Sequence, residues 1–140
     1  MQTLITSLDS LFDGLGRLAG AWVSHGWSWD RRFECVASTF AVTHAEEARG
    51  LVMGVLTEPW TSKTLHRAPS LIVGVAELTG GVRSDQAIYS TPEVDGVIAY
   101  GLWWPWGGEG SNISMRIGLA GPVSYDDMLR LREIFGAPDD

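Results

Sequence analysis

Cysteine is nearly missing from this chain: Cys35 is the only one in 140 residues. A single thiol forms no internal disulfide and no thiolate metal cluster, which fits a reducing compartment. Long apolar runs are missing too. Leu71–Ala76 and Val97–Trp106 are the longest, far below the ~20 residues a helix needs to cross a bilayer. No basic region followed by a continuous apolar stretch opens the sequence, and Asp9 and Asp13 interrupt the apolar positions that a signal peptide requires. The expectation is a cytoplasmic protein without membrane attachment. Positive charge is sparse, with 10 Lys and Arg against 17 Asp and Glu, a net charge of −7 and an isoelectric point near 4.8. Phosphate backbones bind to basic faces, so no nucleic-acid partner is expected. Nucleophile signatures are also lacking: there is no Gly-x-Ser-x-Gly elbow, and no catalytic residue is assigned.

What is present is a globular composition, 45% hydrophobic and 19% charged, over a length that reads as one domain spanning residues 1–140. A domain of this size buries roughly 68–70% of its unfolded surface and builds a core without staples.

Leu4, Ile5, Leu8, Leu11, Phe12, Leu15 and Leu18 recur at helical spacing, with Gly14, Gly16 and Gly20 weakening and ending the helix. From Trp27 to Val42 the period drops to two, predicting one long strand or two strands bent near Asp30–Arg32. Thr43-His44-Ala45-Glu46 has the pattern of a capping box, so a central helix is expected from about His44 until Glu58-Pro59 stops it. The compact apolar run Leu71–Leu78 reads as a buried strand, and Gln86–Ser90 as a short one. Ser124 caps a last helix whose stripe is Met128, Leu131, Ile134 and Phe135, with Gly136 and Pro138 as its stop. The expected fold class is α+β: a mainly antiparallel mixed sheet with N-terminal, central and C-terminal helices packed on one face. If Phe33–Val42 and Leu71–Leu78 flank the central helix as a crossover unit, that strand pair is parallel.

The most informative segment is the hairpin Val97–Leu119. Ile98, Tyr100, Leu102 and Trp104 alternate on one arm, and Ile113, Met115, Ile117 and Leu119 on the other. Between the arms, Trp103-Trp104-Pro105-Trp106 runs into Gly107-Gly108-Glu109-Gly110-Ser111-Asn112. A phosphate-cradling loop opens a helix, whereas this one opens a strand, lacks the lysine and carries its own glutamate; it reads as a hairpin turn. On a strand Trp103 and Trp104 face opposite sides of the sheet, so at least one of the three indoles is expected to be partly exposed.

Other candidates are weaker. Cys35 on a strand beside Phe33 reads as a small core residue. His25, His44 and His66 with Glu46 and Glu47 match no metal-ligand spacing. His44 and Glu47 share a helix face and read as a solvated first turn, so no metal and no cofactor are expected.

The first functional reading is therefore a small acidic interaction module of the inhibitor, immunity, adaptor or subunit kind. Its hairpin tip, with Trp103, Trp104, Trp106, Glu109 and Asn112, would meet a protein partner or a second copy of the chain. The alternative is a pocket protein or enzyme with an indole-lined cavity for a small apolar or aromatic ligand. Tyr100, Trp104, Trp29 and Arg116 are its expected lining.

Overall fold

The computed structural model describes residues 4–24 and 26–137; His25, of the metal candidates, and Pro138, of the expected helix stop, lie outside them. The fold is α+β. Four helices, α1 (Leu8–Ala21), α2 (Ala45–Met53), α3 (Ser70–Leu78) and α4 (Tyr125–Phe135), accompany six strands. The strands are β1 (Ser28–Asp30), β2 (Cys35–Ala41), β3 (Glu58–Trp60), β4 (Ala87–Ser90), β5 (Ile98–Trp106) and β6 (Asn112–Ala120). They form one sheet in the order β1-β2-β6-β5-β4-β3.

Every strand pairing among the described residues is antiparallel, so the expected parallel crossover is not formed there. Its supposed second strand, Leu71–Leu78, is helix α3. A short apolar run does not distinguish a buried strand from a buried helix, and here the buried positions Ile72, Val75 and Ala76 fall at helical three- and four-residue steps. Thr79 closes that helix by donating its hydroxyl to the Val75 carbonyl at 2.8 Å.

The central helix also departs from expectation. A 3₁₀ turn, Val42–His44, precedes α2, and no side chain caps either one, so the Thr43–Glu46 box is not formed. The helix ends at Met53, and Glu58-Pro59 belongs to edge strand β3. Proline is tolerated at a sheet edge because its missing N–H faces away from the ladder. In α1 the glycines do not end the helix, which starts from a reciprocal Ser7–Ser10 cap and runs through Gly20 to Ala21. The Ser124 cap does form: its hydroxyl accepts from Asp127 N–H at 3.1 Å while the Asp127 carboxylate accepts from Ser124 N–H at 3.3 Å. Such a cap contributes about 1 kcal/mol.

The helices lie on both faces of the sheet rather than one. On the first face, α1, α2 and α4 cover Val36, Phe40, Trp103, Ile113, Met115 and Ile117 in a single large core. On the second face α3 packs against Ile88, Ile98, Tyr100 and Leu102, with Trp60, Leu65 and Val82 at the edge of that cluster. The β5–β6 register dictates this division. Trp103 lies opposite Met115 and Leu102 opposite Arg116, so even-numbered positions of both arms share the second face. The two alternating series of the hairpin therefore face opposite sides of the sheet.

Candidate functional site

One short helix does not span six strands: on the strip of the second face that runs from α3 toward the hairpin tip, burial gives way to partial exposure at Trp104 and Arg116. The even positions of this strip are unusual for a sheet floor: Trp104 and Tyr100 on β5, Ser114, Arg116 and Gly118 on β6. Tyr100 is buried because Gly118 has no side chain. A Cβ at Gly118 would meet the phenol, with its Cζ only 2.6 Å away, so the ring lies flat across the neighbouring strand. Burial, with Cys35 and Glu34 nearby, pushes the Tyr100 phenol well above its ordinary value. Cys35 is itself fully buried, and its thiol is pushed up to about 12 by burial. It therefore holds no thiolate at neutral pH.

Arg116 is the chemical centre of the strip. Its Nη1 donates to Asp30 Oδ2, and its guanidinium carbon lies 5.0 Å from the Trp104 ring centre. The side chains of Arg116 and Asp30 are 23% and 19% exposed, so the pair is largely withdrawn from water, and this desolvation lowers the Arg116 pKa. Arg116 Nε is buried with no hydrogen-bond partner among the described residues. A buried guanidinium N–H without an acceptor is costly, and it suits an acceptor from outside.

Asp30 also builds the wall beside this arginine. Its Oδ1 accepts from the backbone N–H of Arg32 at 2.9 Å and of Phe33 at 3.4 Å, an Asx turn that folds residues 31–34 back over the sheet. The turn closes with Glu34 in left-handed backbone, φ 52°. Phe33 then meets Trp104 edge-on, ring centres 6.1 Å apart, and Arg32 stacks 4.4 Å from the Phe33 ring centre.

Between this turn and α3 with its following loop runs a groove in two compartments that share Arg32, Phe33 and Thr79 as a waist. The compartment of about 550 Å³ lies under α3, against Leu71, Val75, Leu78, Tyr100 and Leu119. The other, about 580 Å³, lies toward the hairpin tip, against Asp30, Arg83, Trp104, Trp106 and Arg116. Four of the chain's ten basic residues, Arg31, Arg32, Arg83 and Arg116, line this groove. In a molecule of net charge −7 that is a local reversal of sign.

The sequence-derived candidates divide accordingly. Tyr100, Trp104, Trp106 and Arg116 come together in the groove. Trp103 is 2% exposed in the first-face core, where Phe40, Tyr89 and the Arg49 guanidinium surround it. Trp29 also lies with the first-face core, stacked 4.8 Å from the Arg132 guanidinium. Glu109 belongs to the hairpin loop, which Gly107 opens at φ 84°, and Asn112 is the first residue of β6, opposite Trp106. Asn112 donates there to Ser111 Oγ at 3.3 Å. Sequence reasoning did not assign Asp30, Arg32, Phe33 or Arg83. Asp30 followed by an arginine pair at a predicted bend was a signal for the turn, whereas Arg83 approaches the site only through the fold. Among the described residues no three His, Cys, Asp or Glu side chains are grouped to hold a metal, and no helix is long and apolar enough to cross a membrane. Compared with known proteins, the chain matches no family model, no curated protein and no solved structure.

Proposed function

We propose that this protein binds a small molecule in the second-face groove. One observation carries the reading: the second face of the sheet bears Tyr100, Trp104 and Arg116 on the floor of two joined compartments of about 550 and 580 Å³. Ligand sites are concave, mostly apolar and supplied with a few fixed polar groups, within ~300–1,000 Å³. Each compartment has that size, and the central polar group, Arg116, is held in place by Asp30. A folded core does not need a guanidinium on an uncovered sheet face, where water or an apolar side chain would serve stability as well.

The test uses a residue that lines the groove without supporting it. Gly74 sits on α3 in the first compartment, and a Cβ there has nothing within 4 Å. Gly74→Phe is therefore expected to fill the compartment under α3 without disturbing the fold. A fragment library screened by protein-observed NMR is expected to give hits whose shifts cluster around Tyr100, Trp104 and Thr79, and Gly74→Phe abolishes those that shift Tyr100. Hits that map elsewhere, or hits at Tyr100 that survive the plug, count against the groove.

A second reading, an interface at the hairpin tip, is favoured by Trp106, which is 51% exposed at the rim. With Trp103 buried, such a surface consists of Trp106 and the 107–112 loop. Pull-down with a Trp106→Ala control distinguishes it, since a partner lost with Trp106 but retained with Gly74→Phe belongs to the tip.

A further inference from the structure

The two compartments differ in chemistry. Under α3 the lining is mainly apolar, with Leu71, Val75, Leu78 and Ala120 beside Tyr100, and it also takes in Arg31, Glu34 and Ser70. Toward the tip, Arg32, Arg83 and Arg116 stand against the single carboxylate of Asp30, which already accepts from Arg116 and from its own turn. Arg116 Nε remains buried and without an acceptor among the described residues, and Arg32 and Arg83 form no ion pair there. This compartment therefore has donors and positive charge in excess. The compartments are also in line. Ala120 lies in the first and Arg116 in the second, four residues apart on one strand, or about 13 Å at the rise of an extended chain.

We infer that the ligand is an amphipathic organic anion, its aliphatic tail lying under α3 and its acid group held by Arg32, Arg83 and Arg116 beside Trp104. The inference rests on the groove being a ligand site and adds the ligand's class. Planar guanidiniums grip carboxylates and related oxyanions in a two-pronged fashion. The apolar tail supplies affinity in proportion to the surface it removes from water. Phe33 at the waist separates the two environments, so a molecule apolar throughout or charged throughout uses only half the groove.

Straight-chain probes separate the terms by calorimetry on the intact protein, each below its micelle-forming concentration. Octanoate is expected to bind at least tenfold more tightly than octanol, and octylammonium more weakly than either. From butyrate through hexanoate to octanoate, affinity should rise by up to about fourfold for each added CH₂. In the exposed double variant Arg32→Gln, Arg83→Gln, octanoate loses its advantage over octanol. In Gly74→Phe, octanoate falls to the affinity of butyrate. Octanol or octylammonium equal to octanoate overturns the anionic head, and butyrate equal to octanoate overturns the tail. If the fragment screen locates ligands in the groove but none of these alkyl probes binds, the amphipathic-anion inference fails while the groove stands. If fragments and alkyl probes both leave the groove empty, both fail.

Discussion

Asp30 holds Arg116 with one carboxylate oxygen and the backbone of its own turn with the other. One side chain thus fixes both the floor of the groove and the wall that carries Arg32 and Phe33. Removing its charge is expected to act in two places. In Asp30→Asn the amide oxygen can still accept from the turn, but Arg116 is left charged, largely buried and unpaired. Because the pair is about one-fifth exposed, the cost should lie between that of a surface pair and a buried one, about 1–3 kcal/mol. Asp30→Ala loses the turn as well and should cost more. Urea denaturation of both variants checks the order; a loss in Asp30→Asn within experimental error would show that the ion pair contributes nothing.

The three indoles of the hairpin should separate by stability as they do by position. Trp103 is 2% exposed and Trp106 51%. Trp103→Ala is expected to cost about 3–5 kcal/mol, as deletion of a buried aromatic does, whereas Trp106→Ala should stay within about 1 kcal/mol. Trp104, half-buried under Phe33 and beside Arg116, falls between them. Acrylamide quenching of single-tryptophan variants gives an independent ranking, and a well-protected Trp106 would contradict its place at the rim.

Much of this layout was legible from local pattern. Alternation through Ile98–Trp104 and Ile113–Leu119 specified the hairpin, because period two has one structural meaning at that length. Ser124 and Asp127 marked α4 because a cap is a contact between near neighbours. What failed was decided at a distance. Leu71–Leu78 is apolar enough for a strand or a helix, and only the unoccupied second face of the sheet selects the helix. The Thr43–Glu46 box has the right residues, but the chain leaves β2 through a 3₁₀ turn that places no side chain on the cap. Of the expected pocket residues Tyr100, Trp104, Trp29 and Arg116, all but Trp29 line the groove. Their partners Asp30, Phe33 and Arg83 were not expected, since residues 30 and 116 are joined only by the order β1-β2-β6.

Tyr100 owes its position to Gly118, and this dependence is measurable as a coupling. Gly118→Ala places a methyl group against the phenol ring, and overpacking of this kind costs about 1–3 kcal/mol. In a Tyr100→Ala background the same methyl has room, so the cost should largely vanish. A double-mutant cycle is expected to give a coupling energy of at least about 1 kcal/mol. Additive losses would mean that the ring does not lie over Gly118.

Alkaline pH should destabilise this protein through the same buried row. Cys35 has an ordinary value of 9.0 and is pushed up to about 12 by burial; Tyr100, ordinarily 10.0, is also raised, chiefly by burial. Both are acids, so burial favours their neutral, protonated forms. Above about pH 9 the unfolded chain begins to release the Cys35 proton while the folded chain retains it, and above about pH 10 the same holds for Tyr100. The folded state then binds more protons than the unfolded one, and stability falls as pH rises. The contribution is complete below pH 9.0 and is lost toward about pH 12 for the thiol. The slope is at most about 1.4 kcal/mol per pH unit for each group. Denaturation midpoints between about pH 8 and about pH 10.5 should decline in the wild type and decline less steeply in Cys35→Ala. Comparing slopes rather than absolute stabilities removes the small cavity that the substitution leaves. Folded protein at about pH 8 should also resist iodoacetamide until denaturant is added, since a buried, protonated thiol is a poor nucleophile. Equal slopes in the two proteins, or rapid labelling of the native state, would place Cys35 outside the core.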